Sequence, residues 1–217
     1  GDVYKRQFQD SEWEIRFKEK QSASFIGQLE GFLAMLEEDL VNIRSITFKG
    51  FHKTEEEIIH LFYFKFQTVP LLARMDAVME YLIDEYETLR GKNISEEDME
   101  ALRETFQKMY VTTDLYEIYG WLLKDCGYPE LSNAEYERRK LEYEDVFPML
   151  YLKYRLKGSR KHKNIKHLVI DEMQDYSYLQ YSILSMLFHC RMTILGDRAQ
   201  AMDSECQDVT KLSLIHI

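Results

Sequence analysis

The sequence predicts an α/β chain in which a long, mostly helical region, residues 8–158, precedes a short parallel strand–helix–strand unit within residues 159–210. Three observations carry that expectation. Glu, Leu, Met, Lys and Arg dominate residues 8–157, and prolines interrupt only at 70, 129 and 148, a composition that favours helix. Two apolar runs, HLVI at 167–170 and MTIL at 192–195, are too short for helices and are bounded by charge. Between them Ser177 and Gln180 form a capping box ahead of Leu179, Ile183, Leu184, Leu187 and Phe188, which are spaced for one helix face. With 217 residues, 45% of them hydrophobic, the chain can bury a sizeable core in one or two domains.

The helical region is punctuated by local signals. In RSITFKGF, residues 44–51, a short strand is expected at Ile46–Phe48. Thr54 with Glu57 is a capping box ahead of IIHLFYFKF. Pro70 suits the first turn of a helix running to about Arg90, where Gly91 supplies the left-handed terminating residue. Ser95 with Asp98 opens the next helix, and Asp114–Cys126 forms another, closed by Gly127. A last helix over about Asp145–Leu156 tolerates Pro148 if that residue lies in its first turn, and Gly158 ends it. Phe62, Tyr63, Phe64 and Phe66, like Tyr116, Tyr119 and Trp121, could be imagined as platforms for stacked bases. At helical spacing in an acidic setting they read as core.

Charge is uneven. Residues 1–152 carry −13, residues 153–166 carry +7 without an acid, and residues 167–217 carry −4, which gives the net −10. The acidic part is a poor surface for following a phosphate backbone. Lys153, Arg155, Lys157, Arg160, Lys161 and Lys163 could touch nucleic acid, but a basic helix end followed by a solvated linker fits them better. Cys126, Cys190 and Cys206 are odd in number, match no zinc spacing and read as reduced structural thiols. No apolar stretch reaches the roughly 18 residues of a spanning helix, so a soluble, cytoplasmic protein without a membrane partner is expected. The segments GDVYKRQ, residues 1–7, and LSLIHI at the other end resemble translated sequencing-adapter tails, so residues 1–7 and 211–217 are expected to be foreign to the fold.

The chemistry lies where the strands end. HLVI is the kind of run that suits a strand buried on both faces. Asp171, Glu172 and Asp175 follow it, and Gly196 and Asp197 follow MTIL. A right-handed parallel crossover brings both clusters to the carboxyl edge of the sheet, where open α/β sheets bind ligands. Consecutive acids just beyond a buried strand are costly unless a cation, water or donor compensates them. In a nucleotide site Asp171 can hold Mg²⁺ through its water shell, and Glu172 can orient and deprotonate an attacking water. Asp197 and Gln200 would then lie near the γ-phosphate, where the neutral amide of Gln200 can respond to that group.

VIDEMQDYSYLQ followed by TILGDRAQAM resembles motifs II and III of superfamily 1 helicases of the UvrD/Rep type, which read D-E-x-Q-D and G-D-x-x-Q. The longer run from FPMLYLKYRLKG through IKHLVIDEMQDYSYLQ looks most like the HelD branch, helicase-like ATPases that act on bacterial RNA polymerase. The motif match covers about residues 145–203, and two such motifs at this spacing are specific. The resemblance implies part of a RecA-like P-loop NTPase core, preceded by an inserted helical subdomain. It also implies ATP and Mg²⁺ as cofactors, with DNA and RNA polymerase as partners. Carried over by position, it implies metal coordination at Asp171, water activation at Glu172 and γ-phosphate coupling at Gln200, with Gln174, Asp175, Gly196 and Asp197 completing the nucleotide site. Met173 departs from the usual alanine, and Asp203 stands where relatives often carry an aromatic residue or histidine, which counts against base stacking there.

No G-x-x-x-x-G-K-[ST] occurs, so the phosphate cradle and its lysine are expected upstream in a longer parent, as is a second RecA-like domain elsewhere. The 217 residues by themselves are expected not to hydrolyse ATP. Rival readings are a conventional DNA-unwinding helicase, a helical interaction module whose acids only cap and solvate, and a two-metal nuclease built on Asp171, Glu172, Asp175 and Asp197.

Overall fold

A computed structural model describes residues 2–159, 164–172 and 175–196. In chain order these form α1 (Asp2–Glu19), α2 (Ala23–Asp39), β1 (Ile46–Phe48), β2 (Phe51–Lys53), α3 (Glu55–His60), α4 (Arg74–Arg90), α5 (Glu96–Gln107), α6 (Leu115–Cys126), α7 (Tyr143–Lys157), β3 (His167–Ile170), α8 (Tyr178–Leu187) and β4 (Arg191–Ile194). A π-helical turn, Leu61–Lys65, extends α3, and a 3₁₀ turn, Leu71–Ala73, leads into α4. The chain divides into two compact units. One contains residues 32–121 and 155–158, the other residues 1–31, 122–154 and 159–217.

In the first unit the elements form where local chemistry directs them. The Thr54 side chain accepts the Glu57 N–H while the Glu57 carboxylate accepts the Thr54 N–H, so the expected capping box starts α3. Ser95 likewise accepts the Asp98 N–H at the start of α5, and Gly91, at φ 60°, closes α4 in the left-handed region. Pro70 precedes the 3₁₀ turn and α4 follows at Arg74, so the expected single helix from Pro70 is two segments. The strand at Ile46–Phe48 is one arm of a hairpin whose second arm, β2, had no signal of its own. Lys49 and Gly50 make the two-residue turn at φ 44° and 79°, the positive values a tight hairpin requires.

Ile58, Phe62, Met75, Val78, Met79 and Phe106 are fully buried in this unit. Phe64 corrects the expectation that its cluster is all core: it is 63% exposed and stacks on His60. The π turn adds a residue to the helical repeat there, which shifts the side chains that follow around the axis. Arg74, 3% exposed, donates from its two terminal guanidinium nitrogens to the Glu37 carboxylate at 2.7 and 3.0 Å, from Nε to the Val69 carbonyl and from Nη2 to the Gln67 carbonyl. The Tyr110 hydroxyl donates to the Leu71 carbonyl at 2.6 Å and accepts the Met75 N–H at 3.2 Å, joining the 3₁₀ turn to the start of α4.

The second unit carries the strand–helix–strand. β3 and β4 pair in parallel, His167 with Arg191 through Ile170 with Ile194, as the crossover predicts. Ser177 caps α8 through the reciprocal box with Gln180. Ile170 and Tyr181 form a buried cluster, against which Leu168, Tyr178, Leu184, Met192 and Ile194 pack. The other sheet face carries Val169, 59% exposed, and the exposed His167 and Thr193, hydrogen-bonded to each other at 2.7 Å. The expectation of a strand buried on both faces is therefore corrected. In this two-stranded sheet α8 packs on one face, and alternate residues of β3 point away from it.

α7 starts at Tyr143, two residues before the expected boundary, so Pro148 lies in its second turn and not its first. Gly158, at φ 81°, follows its end. Near the start of α7, Glu144 and Asp145 are 4% exposed, and both bond the ammonium of Lys20, itself 2% exposed, at 3.1 and 2.7 Å. Arg16 adds a second cation to Glu144 at 3.2 Å. Among the described residues no helix is long and apolar enough to cross a membrane.

Candidate functional site

The site is built at the carboxyl ends of β3 and β4. Parallel register puts Ile170 level with Ile194, and the Leu195 N–H donates to the Ile170 carbonyl at 2.7 Å, extending the ladder one step past the strands. Asp171 therefore leaves the sheet beside Leu195 and Gly196, so the first acidic segment and the start of the second share one edge. Asp171, Glu172, Asp175 and Gly196 are all exposed. Met173, Gln174, Asp197, Gln200 and Asp203 lie outside the described residues, as do Arg160, Lys161, Lys163, Cys206 and the expected tail at 211–217.

Local bonds act on the described residues that follow β3. Glu172 has φ 52°, one of two positive values found outside glycine among the described residues. A glutamate in the left-handed region costs on the order of 1–3 kcal/mol, so the surroundings must impose that conformation. Two local bonds do so in part: the Asp171 carboxylate accepts the Glu172 N–H at 2.9 Å, and the Glu172 carbonyl accepts the Asp175 N–H at 2.9 Å. The chain then passes Tyr176, whose ring lies 5.7 Å from that of Tyr181, and reaches the Ser177 cap. Burial raises the Tyr181 phenol to about 12, which favours its neutral form.

The amino end of α8 is already occupied by protein. Ser177 Oγ accepts the Gln180 N–H, and the backbone carbonyl of Gln21 accepts the Leu179 N–H at 3.3 Å. Those two donors are thus not directed at a ligand. Gln21 also takes the Ser177 hydroxyl proton on its side-chain oxygen at 2.6 Å. Sequence reasoning missed Gln21 and Lys20, because in RFKEKQSAS they read as the polar end of a helix.

Asp171, Glu172 and Asp175 do not close into a cage. Among the described residues no group of three or more His, Cys, Asp or Glu is placed to hold an ion. Exposed carboxylates on a fixed edge suit Mg²⁺, which keeps several waters and takes one or two carboxylates together with substrate phosphates. Cys126 and Cys190 are free thiols, and burial first, then Asp125, raises Cys126, which keeps it protonated and unreactive.

A family model described as the UvrD/REP helicase N-terminal domain matches residues 17–202, most of the chain and all of the strand–helix–strand. The chain belongs to the UvrD/Rep helicase N-terminal domain family. UvrD-type helicases are nucleic-acid-binding motors that hydrolyse ATP with Mg²⁺. No curated protein matches the chain. The matched residues include the edge shared by Asp171 and Gly196.

Proposed function

We propose that this chain is part of an ATP-driven helicase-like motor that remodels nucleic acid or releases RNA polymerase, with residues 8–158 as an inserted helical subdomain and residues 159–210 as part of the first RecA-like domain. The observation that carries this reading is the parallel pairing that brings the chain out of β3 at Asp171 and out of β4 at Gly196 on one edge, inside a UvrD/Rep match. Bound Mg²⁺ and ATP supply the phosphoryl group and the charge that offsets its transfer. Asp171 would hold the metal through its water shell. Glu172, placed one residue further by a left-handed turn, takes the proton from the attacking water. Gln174, Asp175, Gly196 and Asp197 would complete the nucleotide site, and Gln200 would couple the γ-phosphate to the rest of the motor. A phosphate-binding loop and a second RecA-like domain belong to the longer parent, so the 217 residues by themselves are inactive. The setting is the cytoplasm.

The decisive experiment is Glu172→Gln in the full-length parent. Turnover falls by two orders of magnitude or more while Mg²⁺-dependent ATP binding persists, because the amide keeps the shape and loses the base. Unchanged turnover would leave the acids as caps and solvated charge, the interaction-module reading.

A second reading has its own support. The family match alone fits a conventional DNA-unwinding helicase as well as a polymerase-directed one. The acidity of residues 1–152 favours the polymerase, since net negative charge repels a phosphate backbone. The HelD-like run through residues 147–180 supports the same choice.

A further inference from the structure

We infer that Gln21 is a positioning residue for the acidic turn, acting through the Ser177 cap of α8 from a segment about 150 residues earlier in the chain. This rests on the reading of Asp171 and Glu172 given above. Gln21 is 3% exposed, yet its side-chain nitrogen has no hydrogen-bond partner among the described residues. Burying an amide with an unmet donor is unfavourable, and an apolar residue of the same size avoids that cost. The oxygen of that amide gives the residue its use. It accepts the Ser177 hydroxyl proton at 2.6 Å, which turns a lone pair of the hydroxyl toward the Gln180 N–H at 3.1 Å. The Gln21 carbonyl holds the Leu179 N–H as well, so one residue fixes the helix start twice.

The turn bearing Gln21 is itself anchored. Lys20 is bound by Glu144 and Asp145, and Ser22 starts α2 by accepting the Phe25 N–H at 3.2 Å. Asp171, Glu172 and Asp175 consequently lie between two anchors. Upstream the β3–β4 ladder fixes Asp171, and downstream the Gln21-held cap fixes the chain two residues after Asp175. The imposed φ of Glu172 lies between these anchors. Loosening the downstream one lets Glu172 relax toward ordinary backbone angles and carries its carboxylate off line.

The test uses the full-length parent carrying Gln21→Leu, Ser177→Ala, both together, and Glu172→Gln as the reference. Positioning predicts that Gln21→Leu lowers kcat for ATP about tenfold and leaves both KM for ATP and the Mg²⁺ concentration for half-maximal rate within twofold, because Asp171 stays on the β3–β4 ladder. Because both residues act through one hydrogen bond, the double variant loses no more than about twofold beyond the weaker single variant. If Gln21→Leu does not fold, Gln21→Asn, which withdraws the same amide by one methylene, is judged by the same criteria. A folded Gln21 variant with wild-type kcat, or losses that multiply in the double variant, overturns the inference. Loss of turnover in Glu172→Gln alone then leaves the site reading intact, whereas Glu172→Gln turning over normally removes both.

Discussion

Lys20 shows how a single side chain can commit a fold to one arrangement. Its ammonium is 2% exposed and lies 4.9 Å from the Tyr128 ring centre, with Glu144 and Asp145 as anionic partners. Removing one member of such a buried set strands the others, at a cost of about 3–5 kcal/mol. Lys20→Met should therefore lower the urea midpoint sharply, and adding Glu144→Gln with Asp145→Asn should recover much of the loss. No recovery would mean that packing, not charge, sets the effect. Tyr110 makes a different prediction. Burial pushes its phenol up to about 12, whereas the unfolded chain releases that proton near the ordinary value of 10. The folded state holds the proton longer, so this contribution is complete below pH 10 and disappears as pH rises toward 12. Tyr181, raised likewise, acts in the same direction. Tyr110→Phe should reduce the loss of stability between pH 10 and 12, read as melting temperature against pH. It should also cost about 1–3 kcal/mol at neutral pH by leaving the Leu71 carbonyl and Met75 N–H without their partner.

Among the elements, the β1–β2 hairpin needs positive φ at both of its turn residues. Gly50 sits at φ 79°, where a Cβ would meet only Arg90 at an ordinary 3.5 Å, so Gly50→Ala tests conformation with little steric confusion. A cost of about 1–2 kcal/mol is expected, measured by chemical denaturation. The same loop marks how far the sequence could be read. The caps at Thr54, Ser95 and Ser177 were legible because each is a bond between residues three apart, encoded entirely in local sequence. β2 was not, since Lys49 is an uncommon residue at a positive φ and gives no hairpin signal. Nor did LFYFK announce a π turn, whose extra residue depends on packing around it. At the candidate site the parallel register and shared edge followed from strand, helix and strand in order. The exposed face of β3 did not, because an apolar run looks alike whether one side or both are covered. Gln21 and Lys20 were hidden for a deeper reason: their partners lie more than 120 residues away, and no local pattern encodes such a contact.

For the molecule as a whole, the two proposed motor readings differ in how its charge should meet nucleic acid. The 217 residues carry −10, yet Lys153, Arg155, Lys157, Arg160, Lys161 and Lys163 fall within one short basic stretch. If that stretch followed single-stranded nucleic acid, neutralising about six phosphates would make log K fall with log salt at a slope near −4. If it is a basic helix end with a solvated continuation, the acidic remainder opposes any such contact and the slope stays shallower than about −2. Fluorescence anisotropy of a labelled oligothymidine, titrated with this chain between 50 and 200 mM salt, separates the two. Weak binding with a shallow slope is expected, matching a motor whose acidic region faces a protein partner. Tight binding with the steep slope, abolished when the six residues become glutamine, would instead make residues 153–163 a nucleic-acid contact and shift the reading to a conventional DNA-unwinding helicase.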